Sequence, residues 1–334
     1  MNLSFPRHGI RLLTLNSHEA WIHQLEALGY PLAIIDGLPN REVSSWDKRI
    51  RPVPENARLI TLNQAHETPG GYDCIIAHSI QDLMDVRTIA GARILVIHNR
   101  LESRIRGALD VMNPMMVQQT LKHYLELTGG HVVAVSRAKG ESWGFAGGDV
   151  VEFGVDPEHY LPWVGDMAAG LRVANQIDRK KELLNWDFHR AAFTGIPVTI
   201  VGDNPEMPGV HPSRDWEDLK KILSHHRFFI HTAHPSLEDG YNMATIEAMA
   251  AGLPVLGNVH PTSPIEHGVS GFLCDDPGTL RLHAKQLLED RSLAERMGRQ
   301  ARQKVTDFFS RSRFAAGFMK VIQKALKIEH RMMA

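Results

Sequence analysis

The chain has 334 residues, enough for two domains at about 100–200 residues each. Hydrophobic residues make up 43% and charged residues 22%, which supplies buried cores and excludes a disordered chain. Lys and Arg total 37 against 38 Asp and Glu, a net charge of −1, so the broad cationic surface of a nucleic-acid binder is absent and nucleic acid is not an expected partner. Cys74 and Cys274 show neither metal-binding nor redox spacing. No apolar run approaches the ~18–20 residues of a membrane span, and the opening MNLSFPRHGIR lacks a signal peptide's apolar stretch. The expectation is a reduced, cytoplasmic protein without a transmembrane segment.

Short apolar runs alternate with amphipathic stretches along the first half. Ile10–Leu15, Leu32–Ile35, Arg58–Leu62, Cys74–Ala77, Ile94–Ile97 and His131–Val135 read as strands. Glu19–Leu28 reads as a helix ending at Gly29, and Glu102–Leu127 as a helical stretch that Pro114 interrupts. Leu161–Gly170, with its Pro and Gly, reads as a linker. Beyond it, Leu171–Ala174, Val198–Val201, Arg227–His231 and Pro254–Leu256 are predicted strands. Lys181–Phe193, Trp216–Leu223, Met243–Ala251 and Leu280–Leu288 are predicted helices. Strands alternating with helices imply an α/β fold with two parallel-sheet domains. The tail carries Phe314, Phe318, Val321, Ile322 and Ala325 at helical spacing, an apolar face that must dock on something.

The most informative stretch is His234–Gly257, HPSLEDGYNMATIEAMAAGLPVLG. It reads as a strand end, then an acidic loop holding Glu238, Asp239, Gly240 and Tyr241, then a helix whose first turn holds Asn242 and Met243. The free N–H groups and positive dipole end of that helix suit a diphosphate. Glu247 lies about one turn further in. His98 closes the Ile94–Ile97 strand and His78 the Cys74–Ala77 strand, at the carboxyl edges where open α/β sheets place their ligands. His231 and His234 are expected on a strand, where an i, i+3 pair points to opposite faces and holds no metal. The adjacent His225 and His226 are expected at the surface. No nucleophile elbow, reactive Cys–His pair or phosphate-binding P-loop motif occurs.

PSLEDGYNMATIEAMAAGLPVL resembles the signature of retaining GT-B glycosyltransferases of family 4, also called group 1. IEHGVSGFL (Ile265–Leu273), VGDNP (Val201–Pro205), and the passage from Val133–Ser136 to FGVDPEHY (Phe153–Tyr160) resemble further family segments, so the likeness runs through residues 131–325. It implies two Rossmann-like domains facing a cleft: an acceptor domain over residues 1–160 and a nucleotide-sugar donor domain over 170–312. The helix at 314–330 would cross back to the first. It further implies that Glu247 holds the ribose hydroxyls of the donor and that Gly202 and Asp203 line the donor loop. Asp239 would stand where the family carries its first glutamate, with Glu238 one step off register. Asn175 falls where the family usually has an arginine, and Arg179, Lys180 and Lys181 cluster near its lysine. Arg179 and Lys180 are the expected diphosphate-binding pair. His98 would approach the donor sugar, and His78 would line the same cleft.

The activity implied is transfer of a sugar, with retention, from a UDP- or GDP-linked donor to an acceptor, without metal or other cofactor. The departing diphosphate itself would help deprotonate the acceptor. The same scaffold also serves nucleotide-sugar epimerases and non-catalytic nucleotide-sugar binders, which are the alternative readings.

Overall fold

The computed structural model describes residues 9–41, 45–105 and 113–333. It divides into two compact units, Met1–Glu152 with Phe314–Ala334, and Phe153–Arg313. The first unit holds β1 (Leu12–Leu15), α1 (Glu19–His23), β2 (Leu32–Ile35), β3 (Ala57–Ile60), α2 (Leu62–His66), β4 (Cys74–Ala77), α3 (Ile80–Asp85) and β5 (Ala92–Ile97). It continues through α4 (Leu101–Ile105), α5 (Pro114–Thr128), β6 (His131–Ala134), α6 (Arg137–Ser142) and β7 (Asp149–Val150). The second unit holds β8 (Met167–Val173), α7 (Trp186–Ala192), β9 (Val198–Val201), α8 (Trp216–His225), β10 (His226–Ile230) and α9 (Met243–Ala250). After these come β11 (Val255–Gly257), β12 (Gly271–Leu273), α10 (Pro277–Glu289) and α11 (Arg291–Phe308), then the tail helix α12 (Arg311–Met333).

Every strand pair is parallel. The first sheet runs β3-β2-β1-β4-β5-β6-β7 and the second β12-β11-β10-β8-β9. β1, β2, β4 and β10 are buried along their whole length, as strands of a sheet covered on both faces must be. On β10 the neighbours Phe228 and Phe229 point to opposite faces and seed two separate cores, Phe229 with Ile246 and Met249, Phe228 with Leu280 and Leu287. Each sheet reverses its strand order once, the first between β1 and β4 and the second between β8 and β10. Those switch points open crevices at the carboxyl ends of the strands.

The tail helix finds its docking surface in the first unit. Phe314 and Phe318 are buried there and meet Trp21 edge-on, with ring centroids 5.9 and 5.6 Å away. Val321, Ile322 and Ala325 are buried along the same face, and on the exposed side Lys324 Nζ reaches Asp149 Oδ1 at 2.5 Å.

Several predicted elements change. Leu161–Gly170 is no linker. Trp163 Nε1 donates to the His226 carbonyl at 3.0 Å, the Val164 and Gly165 amides donate to the Ser224 carbonyl, and Met167–Gly170 is the first half of β8. The division falls between Glu152 and Phe153 instead of near 160–170, because Phe153 and Val155 belong to the second unit's core. The helix expected over Lys181–Phe193 starts only at Trp186. Asn185 adopts a left-handed φ of 47° and breaks it, leaving residues 177–185 as successive turns. The stretch Glu102–Leu127 is covered by α4 and α5, and its residues 106–112 lie outside the described residues. His226 is buried, with Nδ1 donating to the Ile222 carbonyl at 2.6 Å and Nε2 2.8 Å from Thr199 Oγ1. Only His225 is exposed, beside Asp166. His231 and His234 stand in the loop after β10 and not on a strand.

Candidate functional site

In the second unit, the carboxyl ends of β8, β9, β10 and β11 carry four segments joined by hydrogen bonds. After β8, Asn175 Oδ1 accepts from the Asp203 amide at 2.9 Å and the Gln176 amide donates to the Asp203 carbonyl at 2.8 Å. Buried Asn204 accepts from the Ile177 amide and donates to the Ala174 carbonyl, each at 2.8 Å. Gly202 sits at φ 146°, and a Cβ there would run into the Ala174 carbonyl, so this loop requires glycine. The Asp203 side chain is exposed. Asn175 is thus a structural tie between two loops.

The basic residues follow on the turns of residues 177–185. They stand on turns and not at a helix start, since the following helix begins only at Trp186. Lys181 Nζ pairs with Asp178 Oδ1 at 2.5 Å, both half-exposed. The Arg179 and Lys180 side chains meet no acceptor among the described residues. This turn is stitched to the acidic loop after β10: Thr232 Oγ1 donates to the Leu184 carbonyl at 2.6 Å, and the His234 amide to the Leu183 carbonyl at 2.9 Å.

Beneath both lies Arg172, fully buried within the apolar strand β8. Its Nη1 donates to Thr232 Oγ1 at 2.8 Å and its Nη2 to the Leu184 carbonyl at 3.3 Å. Its guanidinium lies over the Trp186 ring. Burial lowers the Arg172 pKa to about 9. Burial, then the Arg172 charge, pushes His189 down to about 2. The available signal was a lone arginine inside an apolar strand.

Within the acidic loop, Asp239 is 1% exposed and Glu238 half-buried, and the Asp239 amide donates to Glu238 Oε1 at 2.9 Å. The Gly240 amide donates to Thr262 Oγ1 at 2.8 Å, and a Cβ on Gly240 would stand 2.8 Å from the His260 ring. Only glycine allows that approach. The Tyr241 ring turns into the core, edge-on to Phe153 and Phe309. Asn242 caps α9 by accepting from the Thr245 amide at 2.9 Å, with the Thr245 side chain answering to the Asn242 amide. That leaves the Met243 and Ala244 amides of the first turn without an acceptor among the described residues. Glu247, 5% exposed, lies on the same helix. This crevice therefore combines accessible cations, two loop carboxylates, a helix start and a buried glutamate.

The first unit's switch point holds different chemistry. His78 follows β4 and His98 follows β5, and His78 Nδ1 lies 2.9 Å from His98 Nε2. The ring of His18, on the segment after β1, stands 4.7 Å from that of His98. Trp21 meets both His78 and His98 edge-on, at 5.2 and 5.1 Å. Desolvation pushes His78 down to about 3 and His98 well below the usual imidazole range, with the His18 charge adding to both. Both rings are neutral at physiological pH. Among the described residues no three side chains converge in a metal-binding group, and no helix is long and apolar enough to cross a membrane.

Residues 204–304 match the family described as Glycosyl transferases group 1. The second unit carries a group 1 glycosyltransferase domain. A 96-residue stretch is 30% identical to N-acetyl-alpha-D-glucosaminyl L-malate synthase of Bacillus anthracis, covering 28% of this chain and 25% of that protein. Among solved structures, the chain resembles sucrose-phosphate synthase from Thermosynechococcus elongatus at a TM-score of 0.69 and 14% identity, over 94% of this chain and 98% of that one. It resembles Anabaena HepE, solved with UDP and glucose, at a TM-score of 0.63 and 15% identity, over 94% and 99%. The architecture is that of GT-B glycosyltransferases.

Proposed function

We propose that this chain is a retaining glycosyltransferase that takes a sugar from a UDP- or GDP-linked donor held by the second unit and passes it to a hydroxyl acceptor. The observation that carries the reading is the group 1 motif folded at the β8/β10 switch point, with the start of α9, the Arg179–Lys180 turn and the acidic loop in one hydrogen-bonded assembly. Glu247 accepts hydrogen bonds from the ribose hydroxyls. Arg179 and Lys180 neutralise the diphosphate as its charge grows towards the transition state, where a fixed cation stabilises most. Basic side chains and helix-start amides then do the work that a metal does elsewhere, so transfer proceeds without one. Glu238 and Asp239 orient the sugar, and His98 in the first unit is a reaction-side residue with His78 behind it. The two unbridged cysteines suit a reducing, cytoplasmic compartment.

Mass spectrometry of purified protein incubated with UDP- and GDP-sugars tests this. Free sugar plus nucleoside diphosphate, formed equally well with a chelator present, is the expected result. An epimeric donor would indicate an epimerase instead. Binding without turnover would indicate a nucleotide-sugar-binding protein, and either outcome overturns the proposal.

A further inference from the structure

The histidine pair of the first unit is wired into the sheet in a way that sets which ring nitrogen carries the proton. Thr14, fully buried on β1, has its Oγ1 2.9 Å from the Ile76 carbonyl oxygen and 2.8 Å from His78 Nε2. Two oxygens at that separation need a hydrogen between them, and a carbonyl has none to offer. The single Thr14 hydroxyl hydrogen therefore lies towards Ile76, and Thr14 Oγ1 meets His78 Nε2 as an acceptor. His78 must donate from Nε2. In a neutral imidazole this leaves Nδ1 bare. Facing that bare nitrogen at 2.9 Å is His98 Nε2, which must then donate. The same bookkeeping leaves His98 Nδ1 without a proton and, among the described residues, without a hydrogen-bond partner.

We propose that Thr14 and His78 form a hydrogen-bond relay that holds His98 in its Nε2–H tautomer, presenting Nδ1 as the acceptor for a neutral ligand hydroxyl. His78 is thus a positioning residue acting through His98, and Thr14 sets the direction of the relay. Neutrality of both rings follows from their surroundings: Trp21 covers them edge-on, and the charged groups acting on them, His18 and Lys139, are cationic when charged and disfavour a further positive charge. An acceptor nitrogen attracts a hydroxyl hydrogen and repels a carboxylate or phosphate oxygen, which also presents lone pairs. The site consequently selects sugar-like or alcohol ligands over anions at this position. The ligand half of this inference rests on the glycosyl-transfer reading; the tautomer half does not.

The test is long-range 1H–15N correlation of the histidine side chains in the full chain at neutral pH, assigned with His78→Gln and His98→Gln. The expected spectrum shows both rings neutral, each with a protonated Nε2 and an unprotonated, pyridine-like Nδ1. Thr14→Val is close to isosteric and removes the acceptor, so both rings should become tautomer mixtures, and Thr14→Ser should restore the wild-type pattern. A wild-type His98 protonated at Nδ1, an imidazolium on either ring, or tautomers indifferent to Thr14→Val would overturn the relay. Glucose and sodium malate then serve as neutral and anionic probes. Glucose alone should shift the His98 Nδ1 resonance; a response to malate, or to neither probe, removes the hydroxyl preference. Because the tautomers are read without turnover, a relay found in a protein that cleaves no nucleotide sugar would sink the transfer reading and leave the relay standing.

Discussion

Both units present a parallel sheet with one reversal of strand order and gather polar side chains at the carboxyl ends beside it, yet the two crevices hold opposite chemistry. The first is lined by imidazoles kept neutral by burial and braced by Trp21, which the tail helix supports in turn through Phe314 and Phe318. The second carries Arg179 and Lys180 on the turns after β8, Glu238 and Asp239 in the loop after β10, and Glu247 on α9. Topology supplies the crevice, and side-chain charge decides what enters it. A neutral, acceptor-bearing edge suits a hydroxyl, whereas an edge whose cations and helix-start amides meet no acceptor among the described residues suits a diphosphate.

The cations are the sharpest way to break this contrast. Arg179→Ala and Lys180→Ala should each lower turnover by about 10²–10³-fold, the usual cost of losing one preorganised charge contact, with thermal stability nearly unchanged because neither side chain packs in the core. Steady-state kinetics beside a melting curve checks this. If both variants turn over normally, the diphosphate is held elsewhere.

Next in size, Glu247→Gln should weaken donor binding by about 1.5–3 kcal/mol, the worth of a hydrogen bond to a charged group. The change is isosteric, so the fold should persist. Titration calorimetry with the donor measures it, and unchanged affinity would remove Glu247 from the site.

Acid should expose the neutral histidines. In the unfolded chain His78 takes up its proton near pH 6.5, whereas the folded protein delays it until about pH 3. Between those values the unfolded state binds more protons, so stability falls as pH drops below about 6.5. His189 acts in the same direction in the second unit. Chemical denaturation at neutral pH and near pH 5 should show a lower midpoint in acid, and His78→Gln should reduce the difference. A midpoint independent of pH would contradict the buried-neutral assignment.

The smallest effect is expected from Lys181→Ala. Its partner Asp178 is as exposed as it is, and such surface pairs contribute under about 1 kcal/mol. Turnover should stay within about twofold of wild type, since the lysine is already engaged. A large loss would mean that Lys181, and not Lys180, faces the diphosphate.

What was legible in the residues tracks how local each feature is. The acidic loop, the Asn242 cap and Glu247 lie within ten positions of one another, so a contiguous motif carries them and the group 1 match coincides with it. The apolar runs likewise marked the strands, because a sheet covered on both faces leaves a continuous hydrophobic imprint. Misreadings came where one backbone angle or one long-range contact decides. Asn185 in a left-handed conformation converts an apparent helix into turns, and Trp163, bonded to the His226 carbonyl, draws an apparent linker into a core. The Thr14–His78–His98 relay joins three strands whose contact depends on register. Arg172 betrays its role only once Leu184 and Thr232 are seen beside it.

The most direct test of the account is calorimetric titration of UDP and GDP into the wild-type protein and into Lys180→Ala. The account predicts that at least one nucleoside diphosphate binds with one-to-one stoichiometry and that the variant binds it at least about tenfold more weakly, ~1.4 kcal/mol. Absence of binding by both nucleotides, or equal affinity in wild type and variant, would contradict it.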